Sequence, residues 1–319
     1  MKKKHLKILT GLAATACTIH AINHIIFSLS TRKELLFNKT GHFYEHAHGK
    51  IFYTKQGTGS PILLIHDLQC DSSSYEWTET VAHLSKKYTV YAIDLLGCGR
   101  SDKPKMTYTS YLYVQLIHDF VTDVIGGVPA LFATGHSVPL ALMTEKLYPG
   151  TFCSFLFVNP TDREESCQLP DRADKFKKYI YELPLVGSLC YCIHTSRSAL
   201  LKRFRQDYFY ELTGLQYVSR YHEAAHLQGD NSKFLFASQQ CHYLGCALTK
   251  DCLTMTVPIH IIQGEHMEST SNALSDDILS LNPDTQISVI PDTKLLPQLE
   301  RPDTFLELCD IFLEATPIF

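Results

Sequence analysis

Pro129-Ala-Leu-Phe-Ala-Thr134 runs without interruption into Gly135-His136-Ser137-Val138-Pro139 and then into helical spacing that ends near Tyr148. A short, wholly apolar segment of this kind reads as a strand buried on both faces of a sheet. The pattern recurs on either side. Residues 50–55, 61–67, 88–94, 152–158, 258–263 and 286–290 read as strands, and residues 75–87 and 111–125 have helical spacing. Strands alternating with helices imply a mostly parallel central sheet covered by helices on both faces, an α/β fold.

The rhythm breaks between residues 163 and 257. That gap holds helical segments rich in Tyr, Phe and basic residues, such as Leu200-Leu-Lys-Arg-Phe-Arg-Gln-Asp-Tyr-Phe-Tyr210, and nothing that resembles a buried strand. It reads as a helical cap over the carboxyl ends of the strands, where open α/β sheets bind ligands. The expected organisation is an amino-terminal anchor at 1–30, a core in two parts at 41–162 and 258–319, and a cap at 163–257. The cap is expected to enclose an apolar, aromatic-lined pocket.

Four stretches in order carry a family resemblance: the apolar strand ending in His66, Asp94-Leu-Leu-Gly-Cys-Gly-Arg-Ser-Asp-Lys-Pro104, Gly135-His-Ser137, and Leu296-Pro-Gln-Leu-Glu-Arg-Pro302. Over roughly residues 41–313 the chain resembles the α/β-hydrolases. The resemblance implies the α/β-hydrolase fold, a serine nucleophile with a downstream acid and a final histidine, and action on carboxylic esters or related bonds. It makes Ser137 the nucleophile, lifted above the sheet by a strand-to-helix turn, with the main-chain N–H groups of Leu68 and Val138 as oxyanion donors.

Two departures sit beside the serine. Pro139 replaces a glycine and disfavours helical geometry at Val138. Asp67 stands where the family has glycine and adds negative charge next to a site meant to stabilise it. The rest of the implied triad is replaced outright. The acid position of Gly264-Glu-His-Met267 is Met267, and the histidine position is Leu295. Neither side chain accepts a proton, and loss of the histidine alone costs a serine hydrolase about 10⁶ in turnover. Rescue requires other groups within hydrogen-bond reach. His266 is the candidate base by topology, Asp162 in Asn159-Pro-Thr-Asp162 the candidate acid, and His66 and His136 are further imidazoles near the turn. The functional expectation is therefore a serine hydrolase with an impaired or rewired site. The alternative is a non-catalytic member that binds a ligand or protein partner.

His222-Glu223-Ala-Ala-His226 matches H-E-x-x-H, with Glu223 as a possible general base of a zinc metalloprotease. The third ligand position is Ser232, so a metal centre is not expected. The 11 cysteines form no C-x-x-C pair and define no zinc or redox framework. Lys plus Arg at 29 against Asp plus Glu at 33 gives −4, which argues against a nucleic-acid-binding surface. The resemblance calls for no cofactor, and the expected small-molecule partner is apolar and ester-like. Finally, Lys2, Lys3, Lys4 and Lys7 precede an apolar run over residues 8–27 that contains His20, Asn23 and His24. It reads as an uncleaved membrane anchor, spanning or lying in the interface, or else as an amphipathic arm folded onto the domain.

Overall fold

Every residue of Ala130–Thr134, Ser154–Val158 and Ile259–Gly264 is buried, as two-sided coverage demands. The structure, a computed structural model, describes residues 2–38, 40–211, 216–267 and 273–316. Its strands are β1 (Gly41–His46), β2 (Gly49–Gln56), β3 (Pro61–Ile65), β4 (Thr89–Ile93), β5 (Ala130–Thr134), β6 (Ser154–Val158), β7 (Ile259–Gly264) and β8 (Gln286–Ile290). They form one sheet in the order β1-β2-β4-β3-β5-β6-β7-β8. The β1–β2 and β2–β4 pairs are antiparallel and all others are parallel. The fold is that of the α/β hydrolases. β1 escapes the sequence pattern because it is an edge strand with half its side chains exposed.

A long helix, α1 (Lys2–Ser30), precedes the sheet, and α2 (Thr78–Leu84), α3 (Ser110–Phe120) and α4 (Ser137–Leu147) connect its strands. After β6, among the described residues, the stretch expected to form the cap and called the cap below holds α5 (Arg163–Cys167), α6 (Arg172–Glu182), α7 (Val186–His194), α8 (Arg197–Arg203), α9 (Val218–His226), α10 (Lys233–Gln240) and α11 (Lys250–Leu253). The chain closes with α12 (Ala273–Leu281), α13 (Pro297–Glu300) and α14 (Pro302–Ala315).

Side chains alternate across the strands with period two. Leu63, Leu131, Ala133, Phe155 and Phe157 pack with Leu116, Ile117 and Phe120 of α3 and with α4. Ile62, Leu64, Ala130, Phe132 and Leu156 pack on the other face with Trp77, Phe305 and Phe312. Each buried Leu, Ile or Phe among them contributes about 1.5–3 kcal/mol, so the sheet is a rigid platform for whatever its carboxyl ends carry.

The spanning form of the amino-terminal anchor finds no support. Among the described residues no helix is long and apolar enough to cross a membrane, and His20, Asn23 and His24 interrupt the apolar run of α1. Instead the carboxyl half of α1 contacts α7 and α9, with Phe27 against the His226 ring at 5.2 Å. The side chains of Lys2, Lys3, Lys4 and Lys7 lie outside the described residues.

Candidate functional site at the core–cap cleft

The turn after β5 is built on Gly135, whose φ is +53°. A Cβ there would lie 2.5 Å from Asp67 Oδ1, so any other residue would strain the turn and push the Asp67 carboxylate aside. His136 caps α4 with φ −68° and ψ −12°, and Ser137 is the first residue of the helix. Val138 is helical as well, against the extended preference expected before Pro139. Proline is tolerated here because the first turn has N–H groups without helical acceptors.

This geometry turns Ser137 inward. The side chain is fully buried, and its Oγ donates a hydrogen bond to the main-chain carbonyl of His66 at 2.6 Å. The Val138 N–H, an expected oxyanion donor, is directed to the Gly135 carbonyl at 3.2 Å. Leu68, the other expected donor, lies at the rim of the cleft and is itself buried. Asp67 occupies the space between these loops. Its Oδ1 accepts both the main-chain N–H of His136 at 2.8 Å and the His136 ring Nδ1 at 2.9 Å. At the apex of the turn the group presented to the cleft is therefore His136, one residue ahead of the serine.

His66 is committed to structure. Its Nδ1 donates to the Asp67 carbonyl at 2.6 Å and its Nε2 accepts the Leu95 N–H at 3.0 Å, which joins the ends of β3 and β4. Burial pushes its pKa below the ordinary value, which suits this neutral tautomer. Asp94 is equally fixed. Burial raises its carboxyl, but the charge and hydrogen bonds of Arg100 override that and hold it well below the usual carboxylate range. Lys103, farther along the same motif, reaches the Ala224 carbonyl of α9.

The proposed replacements for the triad are not brought to Ser137. His266 stacks on Tyr210 with ring centroids 4.0 Å apart, and its Nε2 faces Glu265 at 3.7 Å and Asp292 at 4.0 Å on an exposed surface. Asp162 gives its main-chain carbonyl to Ser166 N and Oγ at the start of α5. Met267 closes a turn onto the Gly264 carbonyl. Leu295 packs with Phe204, Tyr208, Phe209 and Tyr221 of the cap and with Leu296 and Leu299.

That cluster also corrects the expectation of an aromatic-lined pocket. Phe204, Tyr208, Phe209 and Tyr221 of the cap cluster with Leu296 and Leu299 and fill space there rather than enclose it. The cleft that remains, about 280 Å³, is lined by Leu68, Gln69, His136, Pro139, Gln239 and His242 among others. It is more polar than expected, and Ser137 does not line it.

Residues not singled out from the sequence hold the site together. Asn159, at φ +42°, accepts the Gly264 N–H and donates to the carbonyls of Lys294 and Leu295, each at 2.9 Å. It thereby fastens the acid and histidine loops of the family to the end of β6. Glu76 accepts the Asp67 N–H and the Tyr221 hydroxyl, both at 3.0 Å. Burial, and then the charge of Asp67, push Glu76 up to about 8. Asp71 accepts from Arg203 of α8 at 2.7 Å. Gln239 of α10 donates to the Leu68 carbonyl as well, so the 66–76 loop is tied to the cap through α8, α9 and α10. An asparagine at a strand end was the one sequence signal for any of these.

The H-E-x-x-H pair does not form a protease centre. Glu223 is buried and accepts the Leu36 N–H at 3.0 Å, and His226 Nδ1 donates to the His222 carbonyl at 2.6 Å. The His222 and His226 rings lie 4.4 Å apart, but among the described residues no third His, Cys, Asp or Glu joins them in a possible metal-ligand group.

A sequence model described as the Alpha/beta hydrolase family matches residues 62–308. A 2-hydroxy-6-oxo-6-(2'-aminophenyl)hexa-2,4-dienoic acid hydrolase from Metapseudomonas resinovorans is 34% identical over 70 residues, 22% of this chain and 24% of that protein. The match thus spans about a quarter of that relative's length. Among solved structures, a serine hydrolase involved in carbazole degradation superposes with a TM-score of 0.69 at 18% identity, covering 86% of this chain and 98% of the other. A bacterial membrane phospholipase A gives 0.65 at 17% identity over 99% of both chains. At these identities the structural likeness carries the fold and nothing finer.

Proposed function

The chain belongs to the alpha/beta hydrolase family, and from that premise we propose that it is a non-hydrolytic member whose core–cap cleft binds a small molecule. One observation carries the reading: the hydrogen bond from Ser137 Oγ to the His66 carbonyl. A nucleophilic serine needs a base at its proton, and an amide carbonyl is no such base at neutral pH. The occupation of the family's acid and histidine positions by Met267 and Leu295 points the same way. The cleft offers Leu68 and Pro139 for apolar contact and Gln69, His136, Gln239 and His242 for hydrogen bonds. An ester-like molecule with an apolar body and a polar head suits that lining.

The test is turnover of short acyl esters by the full chain beside Ser137→Ala, with calorimetric binding of the same esters. The reading predicts equal, background turnover in both proteins, and binding weakened by His136→Ala. Turnover that depends on Ser137 overturns it.

A second reading has one observation in its favour. His136 faces the cleft with its ring against Asp67, an imidazole–carboxylate pair of the type that serves general base catalysis. It makes the chain a rewired hydrolase of carboxylic esters. Turnover lost in His136→Ala and kept in Ser137→Ala favours it.

For localisation, we propose that the first turns of α1 attach to an anionic membrane surface through Lys2, Lys3, Lys4 and Lys7. Basic residues near such a surface contribute about 1 kcal/mol each. Co-sedimentation with phosphatidylserine vesicles, abolished when the four lysines become glutamine, is the expected result. Equal sedimentation of both proteins contradicts it.

A further inference from the structure

The carboxyl half of α1 reverses the order of an ordinary surface helix, which buries its apolar side chains and exposes its polar ones. Ile22, Ile25 and Leu29 stand at i, i+3 and i+7 and are 48%, 55% and 61% exposed. At 3.6 residues per turn they form one row about 60° wide. His20, Asn23, His24 and Phe27 fall on the opposite side of the helix and line a cavity of about 430 Å³ between α1 and the cap. Asn23 there is only 6% exposed. α7, which packs against α1, has a second row of the same spacing: Val186, Leu189 and Ile193 are exposed, while Gly187, Ser188 and Tyr191 are buried.

Exposed apolar rows rimmed by polar residues mark protein or membrane contacts, and charge separates the two here. Residues 1–33 contain Lys2, Lys3, Lys4, Lys7, Arg32 and Lys33 and no Asp or Glu. An apolar row with cations before and after it and no acid fits the boundary between anionic headgroups and acyl chains. A second copy of the chain fits less well, because pairing two such helices brings these cations together with no acid to offset them.

We propose that α1 lies flat in the interface of an anionic bilayer, with Ile22, Ile25 and Leu29 among the upper parts of the acyl chains. This rests on the membrane attachment proposed above and adds the face that enters the lipid. Lys7 and Ile25 are 18 residues apart on one continuous helix, about 27 Å, so both meet a single surface only if the helix lies along it. Among the described residues no helix is long and apolar enough to cross a membrane, which agrees with a helix in the plane. Because α1 packs on α7 and α9, the cap is then held close to the lipid.

The test uses the full chain carrying Ile25→Trp, with vesicles of phosphatidylcholine and phosphatidylserine. Trp77, the one native tryptophan, is fully buried, and the wild-type chain supplies its background. The expected result is a blue shift of the added emission on mixing with vesicles, quenched more by bromines high on the acyl chain than by bromines near the bilayer centre. Ile22→Ser/Ile25→Ser/Leu29→Ser, all at exposed positions, is expected to weaken vesicle binding at least tenfold with an unchanged circular dichroism spectrum. Vesicle binding without a blue shift overturns the insertion and leaves the lysine attachment standing. A blue shift that survives replacement of Lys2, Lys3, Lys4 and Lys7 by glutamine overturns the lysine attachment and keeps the insertion. Absence of any blue shift, strongest quenching at the bilayer centre, full binding by the triple serine variant, or a dimer in lipid-free buffer that this variant abolishes overturns the proposal.

Discussion

Ser137 Oγ donates its hydrogen to the main-chain carbonyl of His66 at 2.6 Å, so the serine that the family resemblance marks as nucleophile ties the start of α4 to the end of β3. A bond of that kind is worth about 1 kcal/mol net. Ser137→Ala is expected to lower stability by about that amount in urea unfolding and to leave ester turnover at background. A loss below about 0.3 kcal/mol contradicts the structural role.

Leu295 is part of the apolar contact between the cap aromatics and the 295–299 loop. Leu295→His, the histidine that the family resemblance implies for this position, places a polar ring in that contact, and Met267 leaves it without the implied acid partner. The expected result is no gain of esterase activity and a loss of about 1–3 kcal/mol from an unmet polar group. Measurable turnover in the single variant contradicts this.

Glu76 gives the stability a pH slope whose sign is fixed by its raised pKa. In the unfolded chain it loses its proton near its ordinary value of 4.5, whereas in the folded chain it keeps it to about 8. Between those values the folded state binds the extra proton, so its contribution to stability falls as pH rises from about 4.5 to about 8. Glu76→Gln cannot ionise and lacks this decline. Urea unfolding at pH 5, 6, 7 and 8 checks whether the variant gains on the wild type toward pH 8.

Asp71 and Arg203 join core to cap through one contact of 2.7 Å, with Asp71 buried and Arg203 partly open to solvent. Arg203→Ala strands a buried carboxylate and is expected to cost about 3 kcal/mol, with faster proteolysis inside the cap. The double variant Asp71→Ala/Arg203→Ala is expected to cost less than the sum of the single changes. Strict additivity in the double-mutant cycle contradicts a direct link.

The sheet was legible because its strands are buried on both faces, which leaves unmistakable apolar runs such as Ile62-Leu-Leu-Ile65 and Ala130-Leu-Phe-Ala133. The edge strand Gly41–His46 has no such run, and only its pairing with β2 defines it. The reading of Met267 and Leu295 as the family's acid and histidine positions rests on the order of the motifs alone. The contacts that surround Ser137 were not legible. The reach of Asp67 across the Gly135–His136 turn spans 69 residues of sequence, and the bond from Tyr221 to Glu76 spans 145. Nothing local in the chain encodes either contact. Nor could the cap's Phe204 and Tyr208 be told from pocket lining, since an aromatic side chain has the same sequence signal whether it encloses a ligand or packs against Leu296.

The withdrawal of Ser137 from chemistry is tested most directly by intact-mass measurement of the full chain after exposure to a fluorophosphonate, beside Ser137→Ala treated alike. With its Oγ buried on the His66 carbonyl and no base at its proton, Ser137 is predicted to take up no phosphonyl group, and both proteins should keep their starting mass. A single stoichiometric adduct on the wild-type chain that is absent from Ser137→Ala would show an activated nucleophile and contradict the account.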